Sequence, residues 1–156
     1  MPAAMHSFYL RACYLENRLA RNELELCGEQ LDLSKITADL FVVGAVNDHI
    51  VPWRASYRTS QLMPKSQVNY VLSSAGHIAG IINPPGPKAT SWTRLDHPED
   101  ADSWLAGAAE HKRSWWELWS EWADDPARSG KMVAPPSLGS KANPILGEAP
   151  GTYVHG

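Results

Sequence analysis

Apolar positions recur at mixed steps of three and four through residues 7–24, where Phe8, Leu10, Tyr14, Leu15 and Leu19 are separated by Glu16, Arg18 and Arg21. That spacing predicts an amphipathic helix, closed at Cys27-Gly28, with residues 30–36 as a connector. The period then changes. Residues 39–46 form a near-continuous apolar run, rich in β-branched side chains and bounded by Gly44 and Asn47-Asp48. The run predicts a strand buried on both faces, as in a parallel sheet. Pro52 suits a first helical position, so residues 53–62 are predicted as a helix, stopped by Met63-Pro64-Lys65. Residues 67–72, QVNYVL, predict a second strand that ends in Ser73-Ser74-Ala75-Gly76-His77. Strand, helix and strand in this length make a right-handed βαβ crossover with parallel strands.

The stretch Asn83-Pro84-Pro85-Gly86-Pro87 breaks the pattern, and a loop is predicted as far as Pro98. Helical spacing returns over residues 99–109 and again over 114–123, where Trp115, Trp119 and Trp122 stand at i, i+4 and i+7. From Asp124 onward proline, glycine and serine predict irregular chain. Residues 1–123 are therefore expected to carry the fold and 124–156 to form a tail. Two parallel strands with open outer edges do not make an independent sheet, so marginal stability or association with another segment is expected.

Composition narrows the function. The chain has 156 residues, 44% hydrophobic and 20% charged, with a net charge of −3. It holds no basic run or stripe, which excludes a nucleic-acid surface. No apolar stretch approaches the ~18 residues of a transmembrane helix, and the first residues lack the pattern of a signal peptide. Cys13 and Cys27 make neither a disulfide framework nor a metal motif, and the six histidines stand singly. A cytoplasmic, metal-free and cofactor-free setting is expected. Six of the seven tryptophans lie beyond residue 90, a density that calls for a core, a partner or a lipid-like surface.

The candidate chemistry lies at two strand ends. In open α/β sheets catalysis gathers beyond the carboxyl ends of the strands. Asp48 follows the first predicted strand and His77 the second, so adjoining parallel strands present an acid and an imidazole on one rim. A carboxylate that accepts from one ring nitrogen fixes the tautomer and leaves the other nitrogen to act as base. Gly76 is expected to supply the sharp turn before the histidine. Asp48 can equally serve as a turn or helix-start carboxylate bound to backbone N–H groups. His49 adjoins Asp48 in sequence, but neighbouring side chains diverge, which makes it a supporting loop residue. Trp53 is expected to anchor the loop after the acid, with lining of a substrate channel as the other option. No G-x-S-x-G or G-x-C-x-G elbow occurs, and Cys13 in RACYLEN and Cys27 in LELCGEQ are expected to be buried or half-buried structural thiols.

GAVNDHIVPW, then SSAGHIAGIINPPGPK, WLAGAAEHKRSWWELWSEW and the ending APGTYVHG, resemble the C-terminal part of class I poly(3-hydroxyalkanoate) synthases. SFYLRACYLENRLARNELELCGEQLDLSKI resembles the stretch just before it. The resemblance implies the C-terminal portion of an α/β-hydrolase fold, with parallel strands and flanking helices, incomplete without its N-terminal half. It implies polymerisation of (R)-3-hydroxyacyl-CoA to polyester with release of CoA, through a Cys-His-Asp triad in which Asp48 and His77 match the acid and the histidine. Cys27 matches a position that is not the nucleophile. The nucleophilic Cys belongs to an upstream elbow, so a fragment inactive by itself is expected, along with an N-terminal half or dimer partner and a polyester granule surface.

Trp104, Trp115, Trp116, Trp119 and Trp122 are expected chiefly as core, with one of the adjacent pair Trp115-Trp116 exposed. His111 is expected at a helix end or on the surface. Two other readings compete with the synthase fragment. One is a non-catalytic module that uses the aromatic helices to sit on granules or on a synthase subunit. The other is the remnant of a different α/β-hydrolase, such as an esterase or depolymerase.

Overall fold

The first helix is shorter than its apolar pattern. In the computed structural model, which describes residues 1–130 and 133–155, α1 spans Ala3–Tyr9 and runs on through a π-helical stretch, Leu10–Leu15. There the amide of Glu16 reaches back to the carbonyl of Arg11, an i→i+5 bond that widens the helix. Residues 16–22 are turns, with Asn17 and Asn22 in the left-handed region (φ 48° and 57°), which asparagine tolerates better than most residues. The predicted helix over residues 7–24 is thus cut at its midpoint. Most of its apolar face is not buried either, since Phe8, Leu10, Tyr14 and Leu15 are exposed, while Ala12 and Leu24 are covered.

Cys27 and Gly28 form the tip of a small hairpin, with β1 (Glu25–Leu26) paired to β2 (Glu29–Gln30). Both tip residues have positive φ, 54° and 82°, the backbone of a two-residue hairpin turn. Cys13 and Cys27 are both exposed free thiols. This corrects the expectation of buried or half-buried cysteines: a hairpin tip and an outward helix face offer no apolar cover.

The first long strand, β3, spans Leu40–Ala45. Helices α2 (Trp53–Tyr57) and α3 (Thr59–Leu62) follow, then β4 (Val68–Ser73) and α4 (Ala79–Ile82). β3 and β4 are parallel, in register from Leu40↔Val68 to Ala45↔Ser73, so the crossover read from the sequence forms. Beyond it the chain adds β5 (Ser91–Thr93), α5 (Ala101–Ala106), β6 (Ala109–His111) and α6 (Trp115–Asp124). β5 pairs antiparallel with β4, and β6 antiparallel with β5. The result is a mixed four-stranded sheet in the order β3-β4-β5-β6 with helices around it, an α/β architecture. Two strands were expected; β5 and β6 have three residues each, too short to show a period. The sheet leaves the outer edge of β3 open among the described residues, and Leu40–Val43 are half-buried rather than buried on both faces.

One aromatic cluster fills the space between sheet and helices: Trp53, Tyr57, Tyr70, Leu72 and Trp104, all buried. Tyr70 meets Trp104 edge-on at 5.1 Å and Tyr57 edge-on at 5.2 Å, pairings worth roughly 0.5–1.5 kcal/mol each beyond their buried area. The Tyr70 hydroxyl donates to the Trp53 carbonyl (3.1 Å) and lies 2.9 Å from Ser56 Oγ, which fastens the start of α2 to the sheet. Burial pushes the Tyr70 phenol up to about 12.

Gly44 leaves room for that hydroxyl. A Cβ there would collide with the Tyr70 oxygen and sit 2.9 Å from Ser56 Oγ. Gly44→Ala is expected to destabilise the chain by about 2 kcal/mol, read as a lower thermal midpoint, and Tyr70→Phe in the same background is expected to restore part of the loss. An unchanged melt would show that the tyrosine moves aside freely.

Residues 1–123 form one compact unit and 124–156 another. The second holds a short helix, α7 (Pro126–Ser129), started by Asp125, whose carboxylate accepts from the Ala127 amide, and a 3₁₀ turn at Tyr153–His155. Its remaining described residues have no regular structure. Among the described residues no helix is long and apolar enough to cross a membrane.

Candidate active site

The two parallel strands end in loops that are stitched together by backbone bonds. The Val46 amide donates to the Ser73 carbonyl (2.9 Å), and the Asn47 amide to the Ala75 carbonyl (3.0 Å). These continue the β3–β4 ladder one step past the strands and set Asp48 opposite His77. The turn before the histidine falls on Ala75, with φ 74°, and not on Gly76 as expected. A non-glycine residue held there costs on the order of 1 kcal/mol. The Asn47 bond to its carbonyl helps to hold it.

His77 Nδ1 lies 3.0 and 2.9 Å from Asp48 Oδ1 and Oδ2. The Asp48 side chain is only 5% exposed, whereas His77 is 39% exposed. The ring therefore gives its Nδ1–H to a sheltered carboxylate and keeps its other edge towards the open side. Asp48 Oδ1 also accepts the amides of Ile50 (2.9 Å) and Val51 (2.8 Å). The turn-carboxylate reading and the histidine-partner reading of Asp48 both describe real contacts of one side chain.

Burial by itself would raise the Asp48 carboxyl. The Val51 amide, His77 and the Ile50 amide outweigh it and hold the group below the ordinary carboxylate range. Because the folded carboxyl titrates below its unfolded value, its stabilising contribution is complete above the unfolded value. It is lost as pH falls through the folded one. A carbon-detected NMR titration is expected to place the Asp48 midpoint below about 3.9, with the Ile50 and Val51 amides shifting at the same midpoint. A midpoint at or above that value would contradict the hydrogen-bond geometry.

Asp48 and His77 share a small cavity of about 180 Å³ with Val43, Gly44, Ala45, Val51, Ser56 and Ile81. His49 is exposed and does not line it. Trp53, 4% exposed, packs in the core 6.5 Å from Trp104, with the Arg54 guanidinium 4.7 Å above its ring; it does not line the cavity either. Neither cysteine does. His111 sits on β6, its Nε2 2.7 Å from Thr93 Oγ1. Trp104 is core, Trp115 and Trp122 are half-buried, and Trp116 and Trp119 are exposed.

Sequence reasoning passed over the frame behind the histidine. α4, which starts two residues after it, is tied to the start of α6. Ser114 Oγ donates to the Asn83 carbonyl, Asn83 Nδ2 donates to Ser73 Oγ (2.7 Å), and Trp115 Nε1 donates to the Ile81 carbonyl (2.8 Å). Ser114 accepts from the Trp116 amide and its own amide donates to Glu117 (2.9 Å). Ser114-Trp115-Trp116-Glu117 is an S-x-x-E capping box, a signal that stands in the sequence.

An α/β protein with a carboxylate–imidazole pair beyond adjoining parallel strands is the class that this fold and site define. No family model matches the chain. It is 42% identical over 156 residues to a poly(3-hydroxyalkanoate) polymerase of Methylorubrum extorquens, covering 99% of this chain and 25% of that protein. It is 40% identical to the poly(3-hydroxyalkanoate) polymerase subunit PhaC of Cupriavidus necator, covering 26% of it. It is 44% identical to poly(3-hydroxyalkanoate) polymerase 2 of Ectopseudomonas oleovorans, covering 27% of it. The chain belongs to the poly(3-hydroxyalkanoate) polymerase family and spans about a quarter of the length of these relatives.

Proposed function

We propose that this chain is the C-terminal part of a polyhydroxyalkanoate synthase and carries the acid and histidine of its Cys-His-Asp triad on an α/β-hydrolase framework. The observation that carries the proposal is the His77 Nδ1 contact to both oxygens of the sheltered Asp48 carboxylate. With Nδ1–H so held, Nε2 is the basic nitrogen, able to take the proton of a thiol. The thiolate attacks the thioester of (R)-3-hydroxyacyl-CoA, the CoA thiolate leaves and takes the proton back from Nε2, and the acyl group stays on sulfur. The same base then serves the hydroxyl through which the polyester grows.

No G-x-C-x-G elbow is present in these 156 residues, so the thiol comes from an N-terminal synthase segment, and this chain alone is inactive. The exposed apolar face of α1 and the open edge of β3 are surfaces to which that segment docks. The complete enzyme works in the cytoplasm at polyester granules.

Co-expression with an N-terminal synthase segment bearing the elbow tests this. Polymer is expected with the unaltered chain and is expected to vanish with His77→Ala. Polymer made equally well by His77→Ala and Asp48→Ala would remove both residues from the mechanism. CoA release by this chain alone, at the rate of an intact synthase, would refute the fragment reading.

A further inference from the structure

We propose that the cleft lined by Trp115, Trp116, Trp119 and Ser120 receives the polyester chain as it leaves the His77 cavity, a role that rests on the polymerase reading of the site. The cleft has a volume of about 490 Å³, against about 180 Å³ for the cavity beside Asp48 and His77. The smaller hollow has room for a reacting group. The larger one falls within the range that holds a drug-sized ligand, roughly 300–1,000 Å³.

The two hollows share a wall. Ile81 lines the His77 cavity, and its carbonyl accepts Trp115 Nε1 at 2.8 Å, while Trp115 lines the cleft. Ile78, Ile81 and Ile82 are 69%, 40% and 55% exposed. Ile78 just before α4, with Ile81 and Ile82 on it, makes an apolar track between the two. The four residues of α4 rise only about 6 Å at 1.5 Å per residue, a span that a few ester repeats cover.

The lining chemistry selects the occupant. Three indoles and one hydroxyl line the cleft, with no charged side chain. That suits a neutral ligand and disfavours CoA, whose phosphates need cations. A polyhydroxyalkanoate offers alkyl groups and ester carbonyls, which accept hydrogen bonds and donate none. Trp115 Nε1 is spent on Ile81, but Trp116 and Trp119 stay 42% and 47% exposed, and their indole N–H groups donate to no other described residue. Indole faces take the alkyl groups, and the N–H groups and Ser120 meet the carbonyls.

A short, soluble oligomer of (R)-3-hydroxybutyrate, capped at both ends to be neutral, is the probe. Titrated into the full chain, it is expected to change tryptophan emission and to shift the indole resonances of Trp116 and Trp119 and the amides of Ile81 and Ile82. Trp119→Ala is expected to weaken binding about tenfold, with Trp116→Ala as a second variant; both side chains are exposed, so circular dichroism is expected to match the parent. Indoles untouched by the oligomer would overturn the proposal. So would quenching that rises with protein concentration alone, which marks a second copy in the cleft, or burial of both indoles by the N-terminal segment with exclusion of the oligomer. If His77→Ala still binds the oligomer while complementation never yields polymer, the polymerase reading fails and the cleft assignment stands. If polymer forms while the oligomer leaves the indoles unchanged, the cleft assignment alone fails.

Discussion

Asp48→Asn, in a chain complemented with its N-terminal segment, is expected to lower polymer formation by roughly 10³–10⁴-fold while leaving the fold intact. The size follows from the two tasks of the side chain. Oδ1 accepts the amides of Ile50 and Val51, and an asparagine carbonyl oxygen accepts both equally well. Those two donors therefore decide which way the amide faces: oxygen towards the loop, nitrogen where Oδ2 now meets His77. The amide nitrogen can only donate; beside Nδ1 it competes with Oδ1, 3.0 Å away, and favours the histidine tautomer that accepts at Nδ1 and carries its proton on Nε2. That tautomer cannot act as the base. If Asp48 were only a turn carboxylate, Asp48→Asn would be silent in both assays. A melt within about 0.5 kcal/mol of the parent, together with the activity loss, separates the two tasks. Loss of both together would return Asp48 to a structural role.

The parts of this site legible in the sequence were those written in long runs. Residues 39–46 and 67–72 carried enough apolar and β-branched side chains to announce two strands, and the distance between them announced a parallel crossover. From that alone, Asp48 and His77 could be set on one rim, and the structure brings them within hydrogen-bond distance. β5 and β6 were illegible because three residues show no period and their partners are chosen by register against β4. The helix over residues 7–24 was misjudged for the opposite reason. Its apolar spacing is real, but the side chains that would have made it pay off in burial, Phe8, Leu10, Tyr14 and Leu15, stay exposed, and Asn17 and Asn22 end it.

The left-handed turn before His77 shows the same limit on a smaller scale. Glycine is the residue to bet on for positive φ, yet the neighbouring alanine takes it. What puts Ala75 there is a pair of bonds from the facing loop, Val46 to Ser73 and Asn47 to Ala75, and such tertiary bonds leave no local trace. The tryptophans divide in a comparable way. Helical spacing marked Trp115, Trp119 and Trp122 as one stripe, but the capping box and the Trp115–Ile81 bond rotate α6 so that Trp122 packs 5.5 Å from Phe41 while Trp119 stays open.

Gly80→Ala is expected to cost both stability and activity, although in most helices the same change is favourable. Replacing a helical glycine with alanine ordinarily gains about 1 kcal/mol. Gly80 lies in α4 where the helix crosses the end of β3, and a Cβ there would sit 2.5 Å from Ala45 Cβ, 2.9 Å from the Ser74 carbonyl oxygen and 3.3 Å from that of Ala75. Two of those atoms are backbone and the third is a side chain 1% exposed, so none can swing aside. The helix must lift instead, and the lift strains the Ile81–Trp115 bond and moves the loop that holds His77. Overpacking of this kind costs typically 1–3 kcal/mol, which exceeds the propensity gain, and a net loss of about 2 kcal/mol is expected in thermal or urea unfolding. A displacement near 1 Å at the histidine is expected to lower polymer formation about 10²-fold in the complemented enzyme, with a weakened low-field Nδ1–H signal from the Asp48 contact. Stability equal to the parent would mean that α4 rides above the sheet without constraint. Stability lost with activity kept would mean that His77 takes its position from Asp48 alone.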